Sequence, residues 1–157
     1  MEIVDLADDI FRNELNEPDD ISIPNIVFWL LANIPSLNVL LGTNYVVDFS
    51  TSIITPELGD AESAILKYLY LIHYSDILIK SNLNTTGGGG SALSELSDGD
   101  TTIRWVSKNE IAKSYIQLKK SLEDIFNKMV LSYKRDGAVP ISLSAAHNVD
   151  RFYRILN

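Results

Sequence analysis

From Ala64 to Ile79 the chain carries Ile65, Leu66, Tyr68, Leu69, Tyr70, Leu71, Ile72, Tyr74, Ile77, Leu78 and Ile79, apolar or aromatic residues on more than one face of any helix they form. A helix buried by a single layer shows one apolar stripe and a polar back. Two apolar faces demand two neighbours. The segment is therefore either the central helix of a bundle or a helix that also packs on another subunit. Any fold for this chain has to be built around it.

A second long helix follows. Ser107-Lys108-Asn109-Glu110 reads as a capping box, in which the serine hydroxyl and the glutamate carboxylate satisfy free amide donors of the first turn. Behind it Ile111, Tyr115, Leu118, Leu122, Ile125, Phe126, Met129, Val130 and Tyr133 keep the 3.6-residue period. Lys113, Lys119, Lys120, Asp124 and Lys128 fill the solvent side, and Asp136-Gly137 ends the helix. Between the two helices, residues 81–102 pass through Gly87-Gly88-Gly89-Gly90 and then turn polar. Four consecutive glycines do not hold one conformation cheaply, so this stretch reads as a mobile loop.

The first sixty residues carry shorter elements. Residues 2–12 place Ile3, Leu6, Ala7, Ile10 and Phe11 opposite Asp5, Asp8 and Asp9, an amphipathic helix followed by a polar loop from Asn13 to Asp20. Ser22 and Pro24 announce a second helix, and Ile26 to Leu31 is apolar nearly all round, which predicts deep burial. Pro35 is expected to cut that helix, leaving Ser36 to Leu41 as a short continuation ending at Gly42. Tyr45 to Phe49 suits a short extended segment. Thr55-Pro56-Glu57 reads as the cap of the central helix, which runs to about Lys80. Beyond Gly137, Ala138 to Leu143 alternates like an extended arm, and Val149 to Leu156 suits a last short helix. The expected fold is mainly α: one domain over residues 1–157, a small helical bundle with two long helices. Its parts are an acidic N-terminal helix and loop (1–20), a helical body (21–137) with the glycine-rich loop 81–102 inside it, and a C-terminal docking arm (138–157).

Composition excludes several functions. The chain has no cysteine, which removes disulfides, thiolate zinc sites and cysteine catalysis. A net charge of -8 and a pI near 4.6 argue against free nucleic acid as the main partner, since phosphate binding needs a concentrated positive face. The N-terminus is acidic from Glu2, unlike a signal peptide. Ile26–Ile34 and Ala64–Ile72 fall short of the roughly 20 residues that span a bilayer. A soluble protein made inside a cell, without a membrane partner, is the expectation. The charge is also polarised: residues 1–60 hold 11 acids and one base, Arg12, whereas residues 61–157 hold 10 acids and 12 bases. That pattern suits an acidic solvated face, or head-to-tail association of copies.

Candidate chemistry is thin. His73, inside the apolar helix, reads as a hydrogen-bonded core or interface histidine. His147, with Asp150, Ser142 and Ser144 close by in sequence, is poorly placed for a triad, whose members come from separate elements. Asp98-Gly99-Asp100 resembles part of a calcium loop, but Asn109 stands where the glutamate at position 12 belongs. The four glycines lack both the dinucleotide and the P-loop spacing. Glu14-Leu15-Asn16-Glu17 and Glu57-Leu58-Gly59-Asp60 echo the magnesium motifs of MazG-type nucleotide pyrophosphatases, but Pro18 and Gly59 interrupt the helices such motifs need. No catalytic, cofactor-binding or metal-binding residue is assigned, and no enzyme is expected.

The order of features carries a resemblance. It comprises the helix Ser22 to Leu31, Leu37-Asn38, Thr55-Pro56-Glu57-Leu58 with Asp60-Ala61-Glu62, and Tyr68-Leu69-Tyr70-Leu71-Ile72-His73-Tyr74. Leu96-Ser97-Asp98-Gly99-Asp100 and Asn109-Glu110-Ile111-Ala112-Lys113-Ser114-Tyr115 complete it. Over about residues 20–140 this pattern resembles the small head–tail connector (adaptor or neck) proteins of tailed bacteriophages. The resemblance implies a helical bundle without enzymatic activity or cofactor, assembled as a ring, usually of twelve copies, at the head–tail junction of a virion after synthesis in the host cytoplasm. Such a ring lies beneath the portal protein, extends the DNA channel and docks the next neck or tail protein, while DNA passes without sequence-specific binding. On that reading Tyr68, Tyr70, Ile72, Tyr74 and Tyr115 are expected at the subunit interface. Val139, Ile141, Leu143, Phe152, Tyr153 and Ile155 of the arm would dock on the portal or on a neighbour, for example by adding an extended strand. A tail terminator or other tail-completion protein is the neighbouring alternative, and a MazG-like pyrophosphatase a more distant one.

Overall fold

The computed structural model describes the backbone of residues 2–84, 95–98, 101–104 and 108–137, and the side chains of residues 2–81 and 110–137. The described chain is mainly helical, a small bundle. Helix α1 (Ile3–Asp9) continues into a π-helical turn, Ile10–Glu14, in which the Leu15 amide donates to the Ile10 carbonyl at 3.0 Å. Ile3, Leu6, Ala7 and Ile10 are buried together, the amphipathic face that the first residues prescribe.

Helix α2 (Ile23–Leu41) starts with Pro24 in its first turn and runs unbroken through Pro35. This corrects the expected cut. An interior proline deprives the Leu31 carbonyl of its amide partner and crowds it. The helix persists because Ile34, Leu37 and Leu41 are buried in the same core as Ile26, Leu30 and Leu31. It ends on Gly42, whose φ of +73° is the left-handed conformation that glycine adopts without strain, and whose amide donates to the Asn38 carbonyl at 2.8 Å. Nor is α2 buried all round, since Phe28 is 67% exposed and Val39 88%. Its 19 residues, with mean hydropathy 1.5 over the most apolar window, are long and apolar enough to cross a membrane, a length that the shorter apolar window Ile26–Ile34 understates. In the bundle, one stripe of this helix forms the core against α1 and the later helices.

Strands β1 (Val46–Asp48) and β2 (Ile53–Thr55) pair antiparallel, Val46 opposite Thr55 and Asp48 opposite Ile53. The Asp48 carboxylate accepts from the Ser50 amide at 2.9 Å and the Ser50 hydroxyl at 2.6 Å, which fixes the turn. Thr55 therefore closes a hairpin. The central helix α3 begins later than expected, spanning Asp60–Asn84.

Helix α4 (Lys108–Gly137) lies along α3. Lys119 meets Asp76 at 2.7 Å and Tyr133 meets Glu62 at 2.8 Å, so the two helices run antiparallel. Within residues 81–102, expected as a mobile loop, residues 81–84 complete α3, and β3 (Glu95–Asp98) pairs antiparallel with β4 (Thr101–Arg104). The four glycines, Ser107 of the capping box, the whole arm 138–157 and the short helix expected at Val149–Leu156 lie outside the described residues.

Candidate functional site

The middle of α2 and α3 meets in an aromatic cluster. The Trp29 indole stacks on the His73 imidazole, with centroids 4.8 Å apart at 24°, and takes Tyr70 edge-on at 5.2 Å. Tyr70 is buried, and that burial pushes its hydroxyl up to about 12. Expected to face a neighbouring subunit, Tyr70 instead fills the core of its own chain. Its position on α3 puts it in line with Leu66, and both point at α2. Burial holds the His73 imidazole below its ordinary pKa, with Asp76 opposing and Lys80 reinforcing, so the ring against Trp29 is neutral at neutral pH. Tyr68, Ile72, Tyr74 and Tyr115 are half-buried at the margins of the bundle. Tyr74 lines, with Leu15, Leu78, Leu118 and Leu122, a groove of about 210 Å³.

Polar ties hold the helices in register. Lys67 on α3 reaches back to the π-helical turn, meeting Glu14 at 2.7 Å and Asp9 at 3.3 Å, while Asn13 donates to Asp9 at 2.7 Å. These contacts hold the Asp9 carboxyl below its ordinary range, the Asn13 bond contributing most. In the first turn of α3, burial pushes the Glu62 carboxyl up. Hydrogen bonds from Tyr133, its own amide and Tyr45 together outweigh burial and leave it lowered. Asn38 performs a comparable service for the chain after α2: its side chain donates to the Tyr45 carbonyl at 2.8 Å and accepts from the Tyr45 amide at 2.9 Å. A side-chain amide thus pairs with a backbone as a strand would.

Two surfaces remain uncovered. On α4 only Ala112 and Val130 are buried among residues 110–137, and Leu122, Phe126, Met129 and Tyr133 are half-buried. Leu118 and Ile125, expected on the inner face, are exposed with Ile116 and Leu131. The helix carries more apolar surface than α3 can cover. The second surface is one that sequence reasoning missed: Phe28 of α2 and Phe49 beyond β1 lie 6.5 Å apart in the open, with Val4 and Ile53 exposed beside them. Phe28, Phe49 and Val4 form, with Val27 and Leu31, a groove of about 400 Å³. The position of Phe28 two residues from buried Ile26, hence on the far side of a helix, was its one signal in the sequence.

Among the described residues no group of three or more histidine, aspartate and glutamate side chains gathers where a metal ion would fit. Glu14 is held by Lys67, Glu17 sits in the loop after the π-helical turn, and Glu57 and Asp60 flank the start of α3, so the two acidic pairs are not brought together. His147, its neighbours and the docking residues Val139, Ile141, Leu143, Phe152, Tyr153 and Ile155 lie outside the described residues. No family model, curated protein or solved structure matches the chain.

Proposed function

We propose that the chain is a structural virion protein that forms a connector ring beneath the portal, extends the DNA channel and docks the tail. The observation that carries this reading is α4: over residues 110–137 it buries only Ala112 and Val130 and leaves Ile116, Leu118, Ile125 and Leu131 exposed. A helix so incompletely covered is suited to contact with further protein. The resemblance to head–tail connectors names that protein as further copies, the portal and the next neck or tail component. An acidic chain also suits a channel wall, because like charge keeps passing phosphates from adhering.

The test mixes the purified protein with portal-bearing, tail-less capsids and sediments the particles. The protein is expected to be retained on the particles, and truncation after Gly137 to abolish retention while leaving the helical signal intact. Failure to bind the portal or any other virion component overturns the reading. Binding to tail tubes alone would identify a tail-completion protein instead. Magnesium-dependent nucleoside triphosphate hydrolysis lost on Glu57→Ala would identify a pyrophosphatase.

A further inference from the structure

A ring needs a contact between copies, and the inference drawn here rests on the ring reading above. We infer that the Phe28–Phe49 patch of one copy seats on the outer stripe of α4 of the next.

The patch has an apolar centre and an acidic rim. Phe28 and Phe49 are 67% and 57% exposed, and their rings open the groove shared with Val4, Val27 and Leu31. Paired exposed aromatics beside a groove are the usual anchor of a protein contact. Asp5 follows Val4 on α1, Asp48 precedes Phe49, and Glu2 stands just before α1; all three are exposed and form no ion pair among the described residues, Asp48 accepting hydrogen bonds from Ser50. Two nearby cations of the same chain are committed elsewhere. Arg12, the one base of residues 1–60, is taken by Asp8 at 2.8 Å, and Lys67 by Asp9 and Glu14.

The stripe has the opposite character. Lys113, Ile116, Lys120, Asn127, Leu131 and Lys134 are all exposed and recur at intervals of three, four and seven, so they share one face of α4. That face is distinct from the one carrying Ala112, Phe126 and Val130 into the bundle. Leu131 is 67% exposed, and Lys113, Lys120 and Lys134 pair with no carboxylate among the described residues. Apolar side chains flanked by ammonium groups that form no ion pair complement aromatic rings whose neighbours are carboxylates that form none. Leu131 enters the groove beside Phe28 and Phe49, and the lysines face the acidic rim. Because the two surfaces differ, the contact is heterologous and propagates head to tail, as a closed ring requires. Opposite charges at the rim set register and speed encounter more than they add affinity.

The absence of cysteine makes the test direct. Two single-cysteine chains, Thr51→Cys just beyond Phe49 and Asn127→Cys on the stripe, leave Phe28, Phe49 and Leu131 in place; they are mixed in equal amounts and treated with a flexible bismaleimide, both free in solution and bound to portal-bearing particles. Both positions are exposed, and a circular dichroism spectrum checks that each chain folds. The expected product is the mixed pair, in excess over either self-pair. Adding Lys120→Glu and Lys134→Glu to the Asn127→Cys chain should reduce that pair about tenfold. Self-pairs equal to the mixed pair, or no crosslink at all, overturn the contact. If crosslinking fails while several copies still assemble on each particle, this interface is wrong and the ring stands. If no copies assemble, the ring reading falls with it.

Discussion

The phenol of Tyr133 donates a hydrogen bond of 2.8 Å to the carboxylate of Glu62, joining the last turns of α4 to the first turn of α3. Both side chains are half-buried, so the bond forms where water competes weakly. Tyr45 reaches the same carboxylate from the segment after α2, which makes Glu62 the point where three parts of the bundle meet.

Tyr133→Phe should therefore lower stability by about 1–2 kcal/mol. The change would appear as a lower urea midpoint with an unchanged slope. A carboxyl lowered in the folded state adds stability above its unfolded pKa, and that stability is lost as pH falls through the folded value. The wild type should thus weaken below about pH 4.3, and the variant should show a shallower acid limb. Identical limbs would remove Glu62 from this role.

Lys67→Met keeps most of the aliphatic stem and removes the charge that meets Asp9 and Glu14. The side chain retains 23% exposure, so screening limits the loss to about 1 kcal/mol. The difference between wild type and variant should shrink in high salt. Amide exchange should report the damage first at the π-helical turn, whose tie to α3 is gone.

His73 titrates below its ordinary value because it is buried, so the unfolded chain takes up the proton first. Stability should fall as pH drops below about 6.5 and stop falling beneath the folded pKa. His73→Phe retains a ring against Trp29 and should erase this limb. The check is the difference in urea midpoints between neutral and mildly acidic buffer for the two proteins; an unchanged difference would sink the assignment.

Pro35 is exposed and interior to α2, where it supplies no amide to Leu31. Pro35→Ala should restore that bond and stabilise the protein by about 1–3 kcal/mol, offset in part by the greater freedom of the unfolded chain. Thermal unfolding measures it directly.

Helical periodicity made much of the bundle legible. Ile3, Leu6 and Ile10 mark α1, and the apolar run from Ala64 marks α3 as the helix with neighbours on more than one side. What escaped was information that no single segment holds. Val46-Val47 looked extended, but its partner Ile53-Ile54-Thr55 was hidden behind what resembled a helix cap. Which of the neighbouring tyrosines on α3 turns inward depends on where Trp29 stands, and the partners of Lys67 lie 53 and 58 residues away. In α2, apolar residues on every side concealed the direction of the core, so Phe28 could not be told from Leu30 by type, only by angle.

The same helix has a consequence for biosynthesis. The ribosome completes Leu41 about thirty residues before it reaches Leu71, so α2 is made before the face of α3 that will cover it exists. At about 5–20 residues per second, that interval is a few seconds. During it a 19-residue segment of membrane-like hydropathy lacks Ile65, Leu66 and Tyr70 of α3, which share its core in the finished fold. The nascent chain thus presents to chaperones and to the translocation machinery a segment of which the finished fold withdraws only one stripe, and its yield in a cell depends on how quickly α3 follows.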